Sequence, residues 1–125
     1  MFIKDIRHSD YFRALDGTTL CELLHPAKTE PELSLRCSVA HARLRRNESS
    51  LPHRLKSSAE LYYILEGEGL MIIDGESARV HAGQIVYIPP GSVQHIQNVG
   101  VQDLAFLCIV DPMWREGDEE LVDCR

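Results

Sequence analysis

The sequence lacks any apolar run approaching the roughly 18 residues that a membrane-crossing helix needs. Its opening MFIKDIRHSD also lacks the continuous apolar segment of a secretory leader. The expectation is therefore a cytoplasmic protein without a membrane partner. Positive charge is scarce: 13 Lys and Arg stand against 19 Asp and Glu, for a net charge of −6. A surface of that balance has little to offer a phosphate backbone, so no nucleic-acid partner is expected. The one basic cluster, Arg43, Arg45 and Arg46 beside Glu48, reads as a solvated strand end. No C-x-x-C pair is present among Cys21, Cys37, Cys108 and Cys124, which argues against a zinc ribbon or a dithiol redox site and leaves buried or free thiols. Helical periodicity, internal repeats and low-complexity segments are nearly absent as well.

What is present is a series of short apolar runs between turn signals. With 125 residues, 44% of them hydrophobic, the chain can build one core without disulfides. TTLCELL runs from the Asp16-Gly17 turn to a stop at Pro26, and 27–35 reads as a loop. From Leu35 to Leu44 the pattern is a strand with Ala40, Ala42 and Leu44 on one face and His41 and Arg43 on the other. Which face looks inward is left open by the pattern. Asn47 is the pivot of the next break, since asparagine tolerates the left-handed backbone. LYYIL (61–65) reads as a strand buried on both faces, and EGEG turns it into LMIID. Asp74-Gly75 marks the tightest hairpin, QIVYI is halted by Pro89-Pro90-Gly91, and SVQHIQNVG and DLAFLCIV complete the series. Before these strands, Ser9 is placed to cap a helical turn through Tyr11, Phe12 and Leu15. After them an acidic tail leaves the sheet at Pro112, with Trp114 as its anchor if it packs back. Seven or eight short strands of this kind imply an all-β antiparallel sandwich or barrel.

Two clusters in the middle of the chain share a grammar. The first holds Asn47, His53, Leu55, Glu60 and Gly67, and the second Gly83, Pro89, Gly91, Gln94, His95 and Asn98. Together they resemble the two motifs of the cupin superfamily: a glycine, two histidines two residues apart, a carboxylate and a glycine, then glycine, proline, glycine, histidine and asparagine. The chain departs from that pattern at three positions. Asn47 stands for the opening glycine, Leu55 for the second histidine, and Gln94 for the last histidine, with His95 one residue on. The resemblance implies a cupin-type double-stranded β-helix, a jelly-roll barrel, spanning 1–125 as a single domain with its motif region at 47–98 and its tail at 112–125.

The same resemblance implies a metal set of His53, Glu60 and Gln94. One imidazole, one carboxylate and one amide would hold manganese, iron, nickel or zinc weakly, with water or substrate completing the shell. The ion is equally open to being absent, and an apolar Leu55 would then raise the pKa of Glu60 and make it an acid or base. Tyr62 shares the Glu60 face and is the second candidate catalytic group. Strand parity groups Gln94 with Ile96 and Asn98, and His95 with Val93 and Gln97; only a bulge at 92–94 would exchange them. His41 is a further ligand candidate if its face turns inward, whereas His25 and His81, beside turns, read as surface residues. Tyr63 and Tyr87 read as core or interface. Three functions follow: a metal-assisted barrel that binds or acts on a small oxygenated molecule, a metal-free sugar or carboxylate binder, or an accessory subunit docking through the tail. Exposed strand edges favour a homodimer.

Overall fold

A computed structural model of the chain describes residues 1–123; Cys124, one of the four cysteines read as thiols, lies outside the described residues. The runs between breakers form eleven strands and no α-helix among the described residues: β1 (Phe12–Arg13), β2 (Thr19–Leu24), β3 (Ser38–Leu44), β4 (His53–Leu55), β5 (Ala59–Glu66), β6 (Glu68–Ile73), β7 (Glu76–His81), β8 (Ile85–Ile88), β9 (Gln94–Asn98), β10 (Leu104–Asp111) and β11 (Glu119–Leu121). They assemble into two antiparallel sheets. One has the order β1-β2-β3-β10-β5-β8 and the other β11-β4-β9-β6-β7, the architecture of a jelly roll.

Alternation of side chains fills the space between the sheets. Ala42 and Leu44 of β3, Tyr62 and Ile64 of β5, Met71, Ile96, and Leu104 and Phe106 of β10 form one buried cluster. The inward face of β3 is therefore the one carrying Ala40, Ala42 and Leu44. Turn chemistry sets the register: Asp74 (φ 49°) and Gly75 (φ 82°) are both left-handed, as a two-residue hairpin requires, and β6 and β7 pair without a shift from Ile73↔Glu76 onward. Asn47 (φ 69°) makes the left-handed break expected of it. Asn98 closes the second cluster structurally, its Nδ2 donating to the carbonyls of Leu44 (3.0 Å) and Gln102 (2.8 Å).

Four expectations need correction. The N-terminal turn is a 3-10 turn at Ile6–His8 capped by Asp5, and Ser9 follows it; Phe12 joins β1 because its backbone finds a partner at Leu20. LYYIL is buried on one face only, with Tyr63 and Leu65 exposed, because nothing covers the outside of this antiparallel sheet at β5. Tyr63 and Tyr87 are accordingly not core residues. His25 is buried rather than a surface residue: its Nε2 donates to the carbonyl of Trp114 at 2.8 Å, so the returning tail covers it.

That tail is not a free arm. β11 pairs with β4 (Glu119↔Leu55, Leu121↔His53), and the Asp118 carboxylate accepts from the Ser57 amide (3.0 Å), the Ser57 hydroxyl (2.6 Å) and the Ser58 amide (3.1 Å). The Trp114 amide donates to Ser38 Oγ at 2.9 Å. The tail thus becomes a fixed wall across one end of the barrel.

Candidate functional site

At that end the sheets part around a cavity of about 310 Å³, the size of a small-ligand pocket. Its apolar wall includes Leu20, Ala40, Tyr62, Phe106 and Trp114, and its polar groups include Asp16, His53, Glu60 and Glu119. Each polar group is placed by a different piece of chain. β4 carries His53, β5 carries Glu60 and Tyr62, the Asp16-Gly17 turn carries Asp16, and the tail strand carries Glu119.

His53 is 2% exposed, and its Nδ1 lies 2.8 Å from the carbonyl of Leu51. A carbonyl can only accept, so the proton sits on Nδ1 and Nε2 is left facing Asp16 Oδ2 at 3.4 Å. Asp16 is itself fixed: its Oδ1 accepts from the Thr18 amide at 3.0 Å and its carbonyl accepts from the Leu51 amide at 2.7 Å. The same loop therefore orients both members of the pair.

Glu60 is buried on the inward face of β5, and its Oε1 accepts from Gln94 Nε2 at 2.8 Å. Burial raises its pKa from 4.5 to about 8; the Gln94 hydrogen bond opposes the rise, and the charges of Asp16 and Glu119 add to it. Glu60 is thus a carboxylic acid at neutral pH. Tyr62 stacks on Phe106 with ring centroids 4.6 Å apart. Burial first, and then Glu60, push its phenol well above the ordinary value, so it keeps its proton. Burial and the same carboxyl groups raise the Cys108 thiol, which makes it inert. Glu119 is also raised, by burial first, with His53 opposing and Asp16 reinforcing.

The positions named from sequence divide clearly. Gln94 points inward with Ile96 and Asn98, without a bulge, and His95 lies on the outer face of β9. His41 also faces outward, where its Nδ1 meets the Tyr11 hydroxyl at 2.8 Å. Leu55 is buried but does not line the cavity, so the rise at Glu60 comes from its own burial and its carboxyl neighbours. Sequence reasoning missed Asp16 and Glu119. The Asp16-Gly17 turn was visible as a turn, but nothing local ties it to His53. Glu119 reaches the site only through the pairing of β11 with β4.

These residues do not fit a divalent ion. Gln94 gives its NH2 to Glu60 Oε1, and the position beside His53 on the inward face is Leu55, so the motif positions offer one imidazole where a chelating pair is needed. Among the described residues no three His, Cys, Asp or Glu side chains are grouped so as to hold a metal.

Comparison with known proteins places this geometry in a wider setting. A family model described as a cupin domain matches residues 40–110. The chain is 37% identical over 108 residues to the uncharacterized protein MJ1618 of Methanocaldococcus jannaschii, covering 86% of this chain and 84% of that protein. Among solved structures it is similar in fold to Pac13 of Streptomyces, described as a nucleoside dehydratase and also solved with uridine (18% identity, TM-score 0.77, 98% of this chain and 91% of that one). It is likewise similar to KdgF from Halomonas sp. (14% identity, TM-score 0.76, covering 94% and 97%). A predicted oxalate decarboxylase of Thermotoga maritima matches at 22% identity and TM-score 0.76, covering 89% and 99%.

Proposed function

The chain belongs to the cupin family, and from that premise we propose that its barrel is a metal-independent cavity for a small, donor-rich molecule, with His53 and Glu60 as its proton-transfer groups. The observation that carries this reading is the 2.8 Å hydrogen bond from Gln94 to Glu60, which joins two of the three positions a metal would use. With that bond made, the cavity presents a protonated carboxyl at Glu60 and an imidazole whose Nε2 faces the Asp16 carboxylate at 3.4 Å and is the ring nitrogen left for proton exchange. Asp16 orients His53 and Tyr62 offers a hydroxyl, so a bound hydroxyl or amine meets an acid, a base and a donor within one apolar enclosure. A carboxylate ligand, one of the two classes first considered, is disfavoured by the acidic lining. Pac13, of the same fold, is a dehydratase solved with uridine; this supports a barrel of such a shape holding a hydroxylated molecule. We read the whole chain as one such domain. The free thiols of Cys21, Cys37 and Cys108 fit a reducing, cytoplasmic setting.

Elemental analysis of protein purified without chelator tests the reading. No stoichiometric manganese, iron, nickel or zinc is expected, and EDTA should leave the melting temperature unchanged. The double variant Leu55→His with Gln94→His, which supplies both missing imidazoles, should bind about one ion per chain and serves as the positive reference. Near-stoichiometric metal in the wild type that disappears in His53→Ala would overturn the proposal.

A homodimer belongs to the same reading. β8 is the free edge of its sheet, and the outer face beside it carries Tyr63, Leu65, Ile85 and Tyr87, all exposed. Registered pairs Leu61↔Tyr87 and Tyr63↔Ile85 make this a continuous apolar band of the kind a second copy covers. Sedimentation should show a dimer at micromolar concentration that Tyr87→Arg converts to monomer; a wild-type monomer under those conditions would refute it.

A further inference from the structure

Resting on the metal-independent cavity proposed above, we infer that its ligand has two parts: a hydroxylated head held inside by His53 and Glu60, and an uncharged apolar group of the aryl kind held at the mouth by Phe12, Leu15 and Trp114. Phe12 and Leu15 carry the inference. Both line the cavity, yet they are 54% and 53% exposed, whereas Phe106 and Tyr62 in the same lining are 1% and 2% exposed. Phe12 is not wet because it faces outward. It pairs directly with Leu20, which also lines the cavity and packs against the core, so Phe12 stands on the cavity side of its sheet, where the cavity opens. Leu15 sits in the next turn, in which the Ala14 amide donates to the Thr18 carbonyl (2.8 Å) and the Gly17 amide to the Ala14 carbonyl (3.0 Å). A ligand that covers these two side chains gains about 25 cal/mol for each Å² of apolar surface it takes from water.

Trp114 adds an aromatic surface that is already in place. It is half-buried in the same lining and fixed through its backbone, its amide donating to Ser38 Oγ at 2.9 Å and its carbonyl accepting from His25 Nε2 at 2.8 Å. Little ordering is left for a ligand to impose on it. The charged side chains around it argue for a neutral group at the mouth. Lys28 is paired with Glu22 at 2.9 Å, and Arg13 reaches Glu48 at 3.7 Å, so both basic side chains of the lining are engaged by acids. Deeper in, Asp16 is matched by His53 at 3.4 Å. Selection by sign of charge is therefore weak at the opening, and uncovered apolar area is what a ligand meets there.

The chain also limits how far apart the two parts of the ligand lie. Leu15 and Asp16 are consecutive, and Asp16 Oδ2 is the atom that faces His53 Nε2, so the apolar rim passes into the polar pair within one residue, or about 3.8 Å of backbone. A molecule touching both has its hydroxyls and its apolar group joined directly, without a long spacer.

Trp114 is the one tryptophan in the chain, so its fluorescence reports occupation of the mouth directly. Three probes are titrated with EDTA present: phenylethanediol, which carries both parts, propanediol, which carries the head, and ethylbenzene, which carries the apolar group. Phenylethanediol should bind at least ~10-fold more tightly than either fragment and shift the Trp114 emission. Phe12→Ala and Leu15→Ala, both at exposed side chains, should each weaken it by roughly 3- to 10-fold and leave propanediol unaffected. Val101→Ala, at an exposed apolar residue outside the lining, should change neither, and melting temperatures check that each variant folds. A fragment that binds as tightly as phenylethanediol, or full affinity in both Phe12→Ala and Leu15→Ala, would overturn the two-part assignment and leave the metal-independent cavity standing. Binding of none of the probes overturns it as well. Binding that appears only when a divalent ion replaces the EDTA would instead remove the metal-independent cavity, with the Phe12 and Leu15 variants still deciding the mouth.

Discussion

Near pH 8 the Glu60→Gln variant should be more stable than the wild type, by roughly 3 to 5 kcal/mol at the upper end of the alkaline window. The sign follows from the raised pKa of Glu60, about 8 in the folded chain against 4.5 for the free side chain. Below about pH 4.5 both states carry the proton, and the stability is fully present. Between about 4.5 and 8 the unfolded chain releases its proton while the folded chain keeps it, so stability falls as pH rises. At about 1.4 kcal/mol per unit the whole shift corresponds to the range given. Glutamine at this position keeps the acceptor for Gln94 and removes the titration. Urea midpoints for the two proteins should coincide near pH 4 and separate steadily toward pH 8. Asp118 and Glu120, whose pKa values are lowered, act in the opposite direction, but they are present in both proteins and cancel in the difference. Parallel curves would show that Glu60 is not the buried acid described.

Gly67→Ala should cost about 2 to 5 kcal/mol, a large fraction of the total for a domain of this size. Gly67 has φ +84°, and a Cβ there would lie 2.5 Å from the Asp103 carbonyl oxygen and 3.0 Å from Leu104 Cα. Both obstacles are backbone at the start of β10, so neither can rotate aside. Gly75 separates the two contributions, because its φ is +82° and nothing lies within 4 Å of the added carbon. Gly75→Ala should therefore show only the backbone cost, about 1 to 2 kcal/mol, and a lower fall in melting temperature. Equal falls for the two variants would mean that the close approach to Asp103 is not a constraint.

Much of the barrel is legible in local chemistry. Asn47, Gly67 and Asp74-Gly75 announce their left-handed turns, and Gln94, Ile96 and Asn98 announce their face by alternation. The same reasoning assigns His95 to the outside, where it lies. Legibility ends where an element depends on a partner distant in the chain. LYYIL looks uniformly apolar, yet whether its second face is covered depends on what lies outside the sheet, and Tyr11 covers His41 there while Tyr63 and Leu65 stay exposed. His25 looks like a turn residue until Trp114, 89 positions later, closes over it. Asp16 and Glu119 belong to the cavity because a turn and a tail strand converge on β4, and no spacing in the sequence records that convergence.

The place of β10 bears on the order in which the molecule can be made. Its sheet is joined through it: β3 pairs with β10 on one side and β5 on the other, and these two strands have no direct bond to each other. A nascent chain that has emerged only as far as β9 therefore holds two halves of a sheet with matching unsatisfied edges and an uncovered apolar interior. Closure waits for 104–111, and the tail that walls the cavity is laid down later still. During that interval the chain is open to pairing with its neighbours, so slower elongation through this region lengthens its exposure, and quick docking of β10 is what ends it.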